Sequence, residues 1–506
     1  MKHKFIVPSC MLIGLSLLSC NKVPDTVAGP VAVSTSLLKT ADQLGPDMTE
    51  LTVLVDWNTD GRDRMLSYSP DEIPQNPNAQ CLGQKAYIAY QSFSSANVPL
   101  YRLFYNYAPL LDHMASHDTS AEAHPFVFEG VQGYMWNASG ALSGLNALRR
   151  TWNQAPQSYD QDVAFADETL PPGYSFVAGT LGYAFKRYGL QHEVLSTISN
   201  GTISIDFNKV GGGQLWQVRV GSKSLINNQD FGRGIQIDMN LSHQLSLTPT
   251  EGGDMHSHPE PAQRVYWQHG SPCVVFNNGG TSFSTTTYPL FWQPESVYHY
   301  FDLNHVLGHP VMWNGTYSKT VQLSPFGPEH PQIIKWTATV HFPQNYDYAD
   351  IGIASAFLTQ EFSRFWTFVV NKDGTDITTE YQVPRQPVGS YASTVWASYE
   401  SLHSFLRIMN GGVVLSNNDG SYALGIYQKN VALPNGADGY AFYRFTGDGG
   451  GGTTGDEANG IAFAIHGADH TFSGDQTFVL YIVAGSKLQC ISEMQYLKTR
   501  LLTSPL

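Results

Sequence analysis

The stretch GGDMHSHPEP, Gly252 to Pro261, sets Asp254, His256 and His258 at alternate positions between two glycines and two prolines. In an extended chain residues two apart share a face, and Pro259 holds His258 extended. One carboxylate and two imidazoles on one face suit metal coordination, proton transfer on a sugar, or plain solvation of a loop. HxH without an identified remote ligand is a weak metal pattern, so no metal and no cofactor is expected. The segment YPLFWQPESVYHYFDLNHVLGHP offers a second wall. Phe291 and Trp292 are stacking rings, Glu295 follows a proline, and His299, His305 and His309 add titratable groups. A paired-carboxylate glycosidase needs its carboxyls about 5–10 Å apart, and Asp254 with Glu295 or Glu361 are the pairs to test. The catalytic candidates are thus His256, His258, Asp254, Glu295 and Glu361. In NNQDFGRGIQ, a guanidinium and a carboxylate near a glycine turn can clamp each other or vicinal sugar hydroxyls. Asn228, Asp230, Arg233 and Gln236, together with Trp292, His305 and His309, are the substrate-binding candidates. Glu361 and Arg364 in LTQEFSRF form a further pair, for which an ion pair on an exposed edge is the plainer reading. The loop FTGDGGGGTTGDEANG lacks a calcium-ligand register despite Asp448 and Asp456, and reads as a surface insertion.

These residues must be carried by strands. From Gln191 onward, TISIDF, QLWQVRV, IQIDMNL, CVVFNN, IIKWTATVHF and FWTFVV are short alternating or apolar runs punctuated by Gly, Asn, Asp and Pro. Helical signals are confined to YASTVWASYESLHSFLRIM and GSKLQCISEMQYLKTRLL. The fold class is mostly β, with 191–500 a large two-sheet β-sandwich. Ahead of it, 48–190 holds three similar units, each with a strand, an aromatic, a turn and an aspartate: Asp63, Asp112 and Asp160. Each unit closes on a Gly and a Tyr: Gly83 and Tyr87, Gly130 and Tyr134, Gly179 and Tyr183. The period is roughly 47–49 residues, which points to a closed, trefoil-like three-repeat β domain. The domain is a candidate glycan-binding module, while the three aspartates taken singly read as turn formers. Glu50–Gly189 is expected to fold alone.

Lys2 and Lys4 precede the apolar run Phe5–Leu18, which is too short to span a bilayer and reads as a signal peptide over 1–19. It ends in LLSC, which resembles the bacterial lipobox and makes Cys20 the lipidated residue. Residues 20–47 are small, polar and Pro-containing, a flexible tether. The expected location is the bacterial cell envelope, periplasmic or at the cell surface, with the membrane engaged only through the N-terminal lipid. A net charge of −14 argues against nucleic acid as a partner. Aromatics make up 12% of the chain against 14% charged residues, a balance that leaves rings for stacking on sugars. Cys81, Cys273 and Cys490 are an odd set after the signal peptide and Cys20, so no disulfide framework is implied. No G-x-S-x-G nucleophile or basic groove supports a protease or nuclease.

VPLYRLFYN, DHMASHDTSAE and FVFEGVQGYMW resemble the PVYRFYN…DHFYTT…YEGIAGYVY repeat domain of unknown function found beside secreted bacterial hydrolases. GGGQLWQVRVGSKSLINNQDFGRGIQ, with LTPTEGGD, YPLFWQPE, WNGTYSKTVQL and VVLSNNDGSYALGIY in order, is similar to exported proteins related to carbohydrate-active enzymes. That resemblance implies a β-sandwich of the galactose-mutarotase or supersandwich type. It also implies a polysaccharide or oligosaccharide partner, acted on by a glycoside hydrolase or polysaccharide lyase. The other reading is a non-catalytic surface glycan-binding protein.

Overall fold

The structure is a computed structural model of the 506-residue chain. It describes residues 44–56, 63–67, 79–89, 91–107, 110–119, 126–153, 161–170, 172–186, 194–228, 233–241, 245–247, 250–252, 254–255, 268–291, 311–347, 349–370, 376–381, 411–428, 439–444, 458–467 and 471–503. The signal peptide, Cys20, Asp160, the Asp448 loop and the first helical stretch lie outside these residues. Apart from the helix α1 (Lys487–Thr503), the regular structure described is antiparallel β. None of the described helices is long and apolar enough to cross a membrane.

Three similar hairpin units come first among the described residues. Their strands are β1 (Leu44–Asp56), β2 (Asp63–Ser67), β3 (Ala79–Ala89), β4 (Val98–Tyr107), β5 (Leu110–Ser116), β6 (Val127–Met135), β7 (Asn146–Asn153), β8 (Gln161–Phe165), β9 (Tyr174–Phe176) and β10 (Gly182–Lys186). Leu44–Asp47, read from the sequence as tether, belong to β1, where Leu44 pairs with Trp313 and Asp47 with Val311. In every unit the first strand pairs with each of its followers: β1 with β2 and β3, β4 with β5 and β6, β7 with β8, β9 and β10. The closing strands then meet each other, with Ala89 opposite Tyr134, Tyr87 opposite Phe185 and Trp136 bridged to Tyr183. The middle strands β2, β5 and β8 touch one another as well. Leu51, Leu100, Leu148, Leu66 and Val163 fill the interior between these two ends.

The second region builds one large core. A nine-stranded sheet runs from Cys273–Asn278 at one edge to Asp376–Tyr381 at the other. A four-stranded sheet starting at Leu195–Ser199 is bridged to a five-stranded one through Leu215–Ile235 and Ile226–Leu358. Residues of all three sheets, including Phe207, Ile237, Ile351, Phe283, Val321 and Trp336, share the core. Strict alternation makes this possible: in Thr316–Leu323 every second side chain, from Tyr317 to Leu323, is buried. Phe207 stacks on Phe283 with centroids 4.0 Å apart, joining the four-stranded to the nine-stranded sheet. Helix α1 covers the nine-stranded sheet with Cys490, Met494 and Leu497.

The two regions are packed together. Tyr87, Trp136 and Phe185 share an apolar cluster with Tyr288, Leu290 and Met312. Tyr87 also donates its hydroxyl to the Gly270 carbonyl at 3.2 Å.

Candidate functional site

Three glycine-bearing loops converge just before Asp254. The first, Lys209–Gly213, turns because Asn208 accepts from the Val210 and Gly211 amides at 3.1 and 3.3 Å, while Gly212 and Gly213 adopt φ of +70° and +83°. The second, Thr250–Gly252, lies so close to the first that a Cβ on Gly212 would sit 2.0 Å from the Glu251 carbonyl oxygen. The third contains Gly270, whose Cβ would sit 1.8 Å from the Val210 carbonyl oxygen. Backbone therefore packs on backbone where a side chain would prevent it. Ser271 ties the second loop to the third, donating from its amide to Glu251 O at 3.1 Å and from its hydroxyl to Thr250 O at 2.7 Å.

This crossing holds a buried ion pair. Glu251 is fully buried and Lys319 is 2% exposed. Lys319 donates to the Gly213 carbonyl at 2.7 Å and to Glu251 Oε1, and its ammonium lies 5.6 and 5.5 Å from the ring centres of Tyr317 and Trp336. Burial drives the Lys319 pKa well below its ordinary value. Glu251 Oε2, both polar atoms of the Gln214 amide and Thr285 Oγ1 are buried without a hydrogen-bond partner. Groups of this kind are ordinarily matched by ordered water.

The sequence-derived residues distribute unevenly around this centre. Gln236, chosen as a sugar contact, is fully buried, and its Oε1 accepts from the Gly252 amide at 2.8 Å. It thereby holds the foot of the GGDMHSHPEP stretch. Asp254 pairs with His269 in a two-residue ladder, three positions beyond Glu251. Asn228 and Arg233 are half-buried on either side of residues outside the described set. Glu361 stands apart: it is exposed at a turn, where it meets Lys223 and accepts from Thr359 Oγ1 at 3.1 Å. Arg364 is paired with Glu380 across neighbouring strands rather than with Glu361. Phe291 is fully buried in the main core and presents no stacking face. His256, His258, Asp230, Trp292, Glu295, His299, His305 and His309 lie outside the described residues. Among the described residues no group of three or more His, Cys, Asp or Glu is placed to hold a metal. Cys273 and Cys490 are free thiols.

Asp238 lies two residues past Gln236 and is packed on Gly352 and hydrogen-bonded to Ser355. Burial pushes its pKa from 3.8 up to about 6, against the lowering effect of Ser355. A raised folded-state pKa means that ionisation opposes folding: stability is fully present below the ordinary carboxylate pKa and is lost as pH rises through about 6. Asp238→Asn is expected to stabilise the protein at pH 8 by about 1–2 kcal/mol, an amount held down because the residue keeps some surface, and to do much less at pH 4. Urea midpoints at the two pH values test this, and an equal effect at both would contradict it.

No protein-family model matches the chain, and no curated protein matches it. Among solved structures it is similar to a galactose mutarotase-like protein from Clostridium acetobutylicum (8% identity, 59% of this chain and 96% of that chain, TM-score 0.28). It is also similar to the alpha-galactosidase from Lactobacillus brevis (8% identity, 59% and 40%, TM-score 0.29) and to the 4-alpha-glucanotransferase from Thermococcus litoralis (8% identity, 58% and 38%, TM-score 0.25). Superpositions this loose leave fold and chemistry to be argued from the chain's own residues.

Proposed function

We propose that the protein is a cell-envelope lipoprotein, anchored through Cys20, that acts on a polysaccharide or oligosaccharide. In this reading 48–190 is a trefoil-like unit and 191–500 a two-sheet sandwich of the galactose-mutarotase type. The observation that carries the proposal is Glu251. One of its oxygens is fixed by Lys319 and the other is unmatched, within seven residues of Asp254, His256 and His258. A carboxylate held by an ammonium, with imidazoles close by in sequence, is suited to moving protons on a hydroxylated ring. Asp230, Arg233, Trp292, His305 and His309 are the proposed substrate contacts, with Glu295 as a further carboxylate. The reaction class is glycoside hydrolysis or elimination.

The complete burial of Glu251 favours a second reading, in which the region binds a glycan without turning it over. A polysaccharide panel scored for new reducing ends, for absorbance at about 235 nm and for retention separates the outcomes. Hydrolysis yields the first signal, elimination both, and a binder retention alone. For an enzyme, His256→Ala is expected to lower turnover by about 10²–10⁴-fold. Neither turnover nor retention on any glycan would overturn the proposal.

A further inference from the structure

We infer that the three-repeat unit is a positioning element of the second region, in which Tyr87 sets the strand beside Glu251. The unit grips the strands at the feet of both stretches that carry the candidate histidines. This role deepens the reading that the Glu251 region acts on a glycan, and rests on it.

The two stretches share their supports. Residues 256–267 follow Asp254–Met255 and precede Gln268–His269, and these two short strands pair with each other. Residues 292–310 follow Phe291 and precede Val311–Trp313. There Leu290 is bridged to Met312, and the Trp313 amide donates to the Pro289 carbonyl at 2.8 Å. Ser271 joins the two feet. Besides its bonds to Thr250 and Glu251, its hydroxyl accepts from the Leu290 amide at 3.0 Å. The Tyr288 amide adds a bond to the Pro272 carbonyl at 3.1 Å. Fixing Ser271 therefore fixes the Glu251 loop and both feet together.

The three-repeat unit reaches this junction repeatedly. The Tyr87 hydroxyl donates to the Gly270 carbonyl, immediately before Ser271. The Ser143 amide donates to the Tyr288 hydroxyl at 3.2 Å. Gly144, at φ +84°, comes so near Val274 that a Cβ on it would fall 2.3 Å from Val274 Cγ1. Leu44 and Asp47 pair with Trp313 and Val311. Apolar packing of Trp136 and Phe185 would hold the regions together without direction, whereas the two hydroxyl contacts fix where the strands lie.

The repeats supply their own comparison. Tyr87, Tyr134 and Tyr183 are the equivalent closing tyrosines. Tyr134 and Tyr183 are half-buried, so closing a repeat does not require a sunken hydroxyl. Tyr87 is fully buried and sends its hydroxyl into the other region. A site gains from such support because small displacements of reacting groups cost turnover steeply.

The test is amide hydrogen exchange of the full mature protein, wild type against Tyr87→Phe and Tyr183→Phe. Tyr87→Phe keeps the ring and removes one hydrogen bond. Exchange at the Ser271 and Leu290 amides is expected to quicken about tenfold, with helix α1 unchanged. Tyr183→Phe, the same chemical change in the third repeat, should leave both amides as in wild type. On a glycan that the protein turns over, Tyr87→Phe should lower kcat about tenfold or more and leave KM within about twofold. On a glycan that is only retained, Kd should rise about tenfold. Tyr288→Phe, which removes the acceptor of the Ser143 amide, is the second probe should Tyr87→Phe not fold, and should quicken Leu290. Unchanged exchange at Ser271 and Leu290 would overturn the inference, as would quickened exchange with kcat and Kd at wild-type levels. Quickened exchange in a protein that neither turns over nor retains any glycan would refute the glycan reading and leave the clamp standing.

Discussion

Lys319→Met is expected to cost roughly 3–5 kcal/mol of folding stability, among the largest effects of any single substitution in the chain. The methylenes are replaced by similar volume, so packing changes little. What is lost is the charge that compensates Glu251 among the described residues, and Glu251 is fully buried and already has one unmatched oxygen. Removing both partners tells a different story. In Lys319→Met with Glu251→Leu no ion remains to be dehydrated, and the double variant should recover most of the loss. Denaturant midpoints of the four proteins give the coupling directly. A single variant as stable as wild type would mean that Glu251 is not charged in the folded protein. A double variant no better than the single would mean that the residues matter for shape alone.

Gly212→Ala is expected to cost about 3–5 kcal/mol through two independent penalties. A side chain at φ +70° is strained, and its Cβ would fall 2.0 Å from the Glu251 carbonyl oxygen, a backbone atom that cannot swing aside. The loop must therefore retreat, carrying Glu251 away from Lys319. Gly140→Ala is the matched control: nothing lies within 4 Å of its added Cβ, and its effect should stay within about 0.5 kcal/mol. Thermal melts of the two variants beside wild type decide the point. Equal melting temperatures for Gly212→Ala and Gly140→Ala would show that the loops do not pack as described.

Strands were legible because alternation is a local property. TYSKTVQL announces a strand with Tyr317, Val321 and Leu323 on one face. The same alternation puts Lys319 on that apolar face, and this was the available signal for a buried cation. Its partner was not legible, since Glu251 lies 68 residues earlier and only the crossing of three glycine loops joins them. GGDMHSHPEP stands out for its titratable side chains, while the structure shows a buried ion pair one step upstream, at the glutamate before the glycines. Gln236 shows the converse: its spacing near Arg233 suggested a ligand contact, yet its amide oxygen is engaged with the Gly252 backbone. The closing tyrosines of the three repeats were legible as a pattern. That Tyr87 also reaches Gly270, 183 residues away, was not.

The apolar cluster joining the two regions has a consequence for the order in which the chain is made. Tyr87, Trp136 and Phe185 emerge from the ribosome with the first units, but their cover, Tyr288, Leu290 and Met312, follows later. So does Val311–Trp313, the strand that pairs with the start of β1. At about 5–20 residues per second, the roughly 130 residues between Lys186 and Trp313 take roughly 6–25 seconds to appear. Until those residues arrive, Tyr87, Trp136 and Phe185 lack the apolar cover they have in the folded protein. A chain with such a window is a natural client for a holding chaperone until both regions are present and docked.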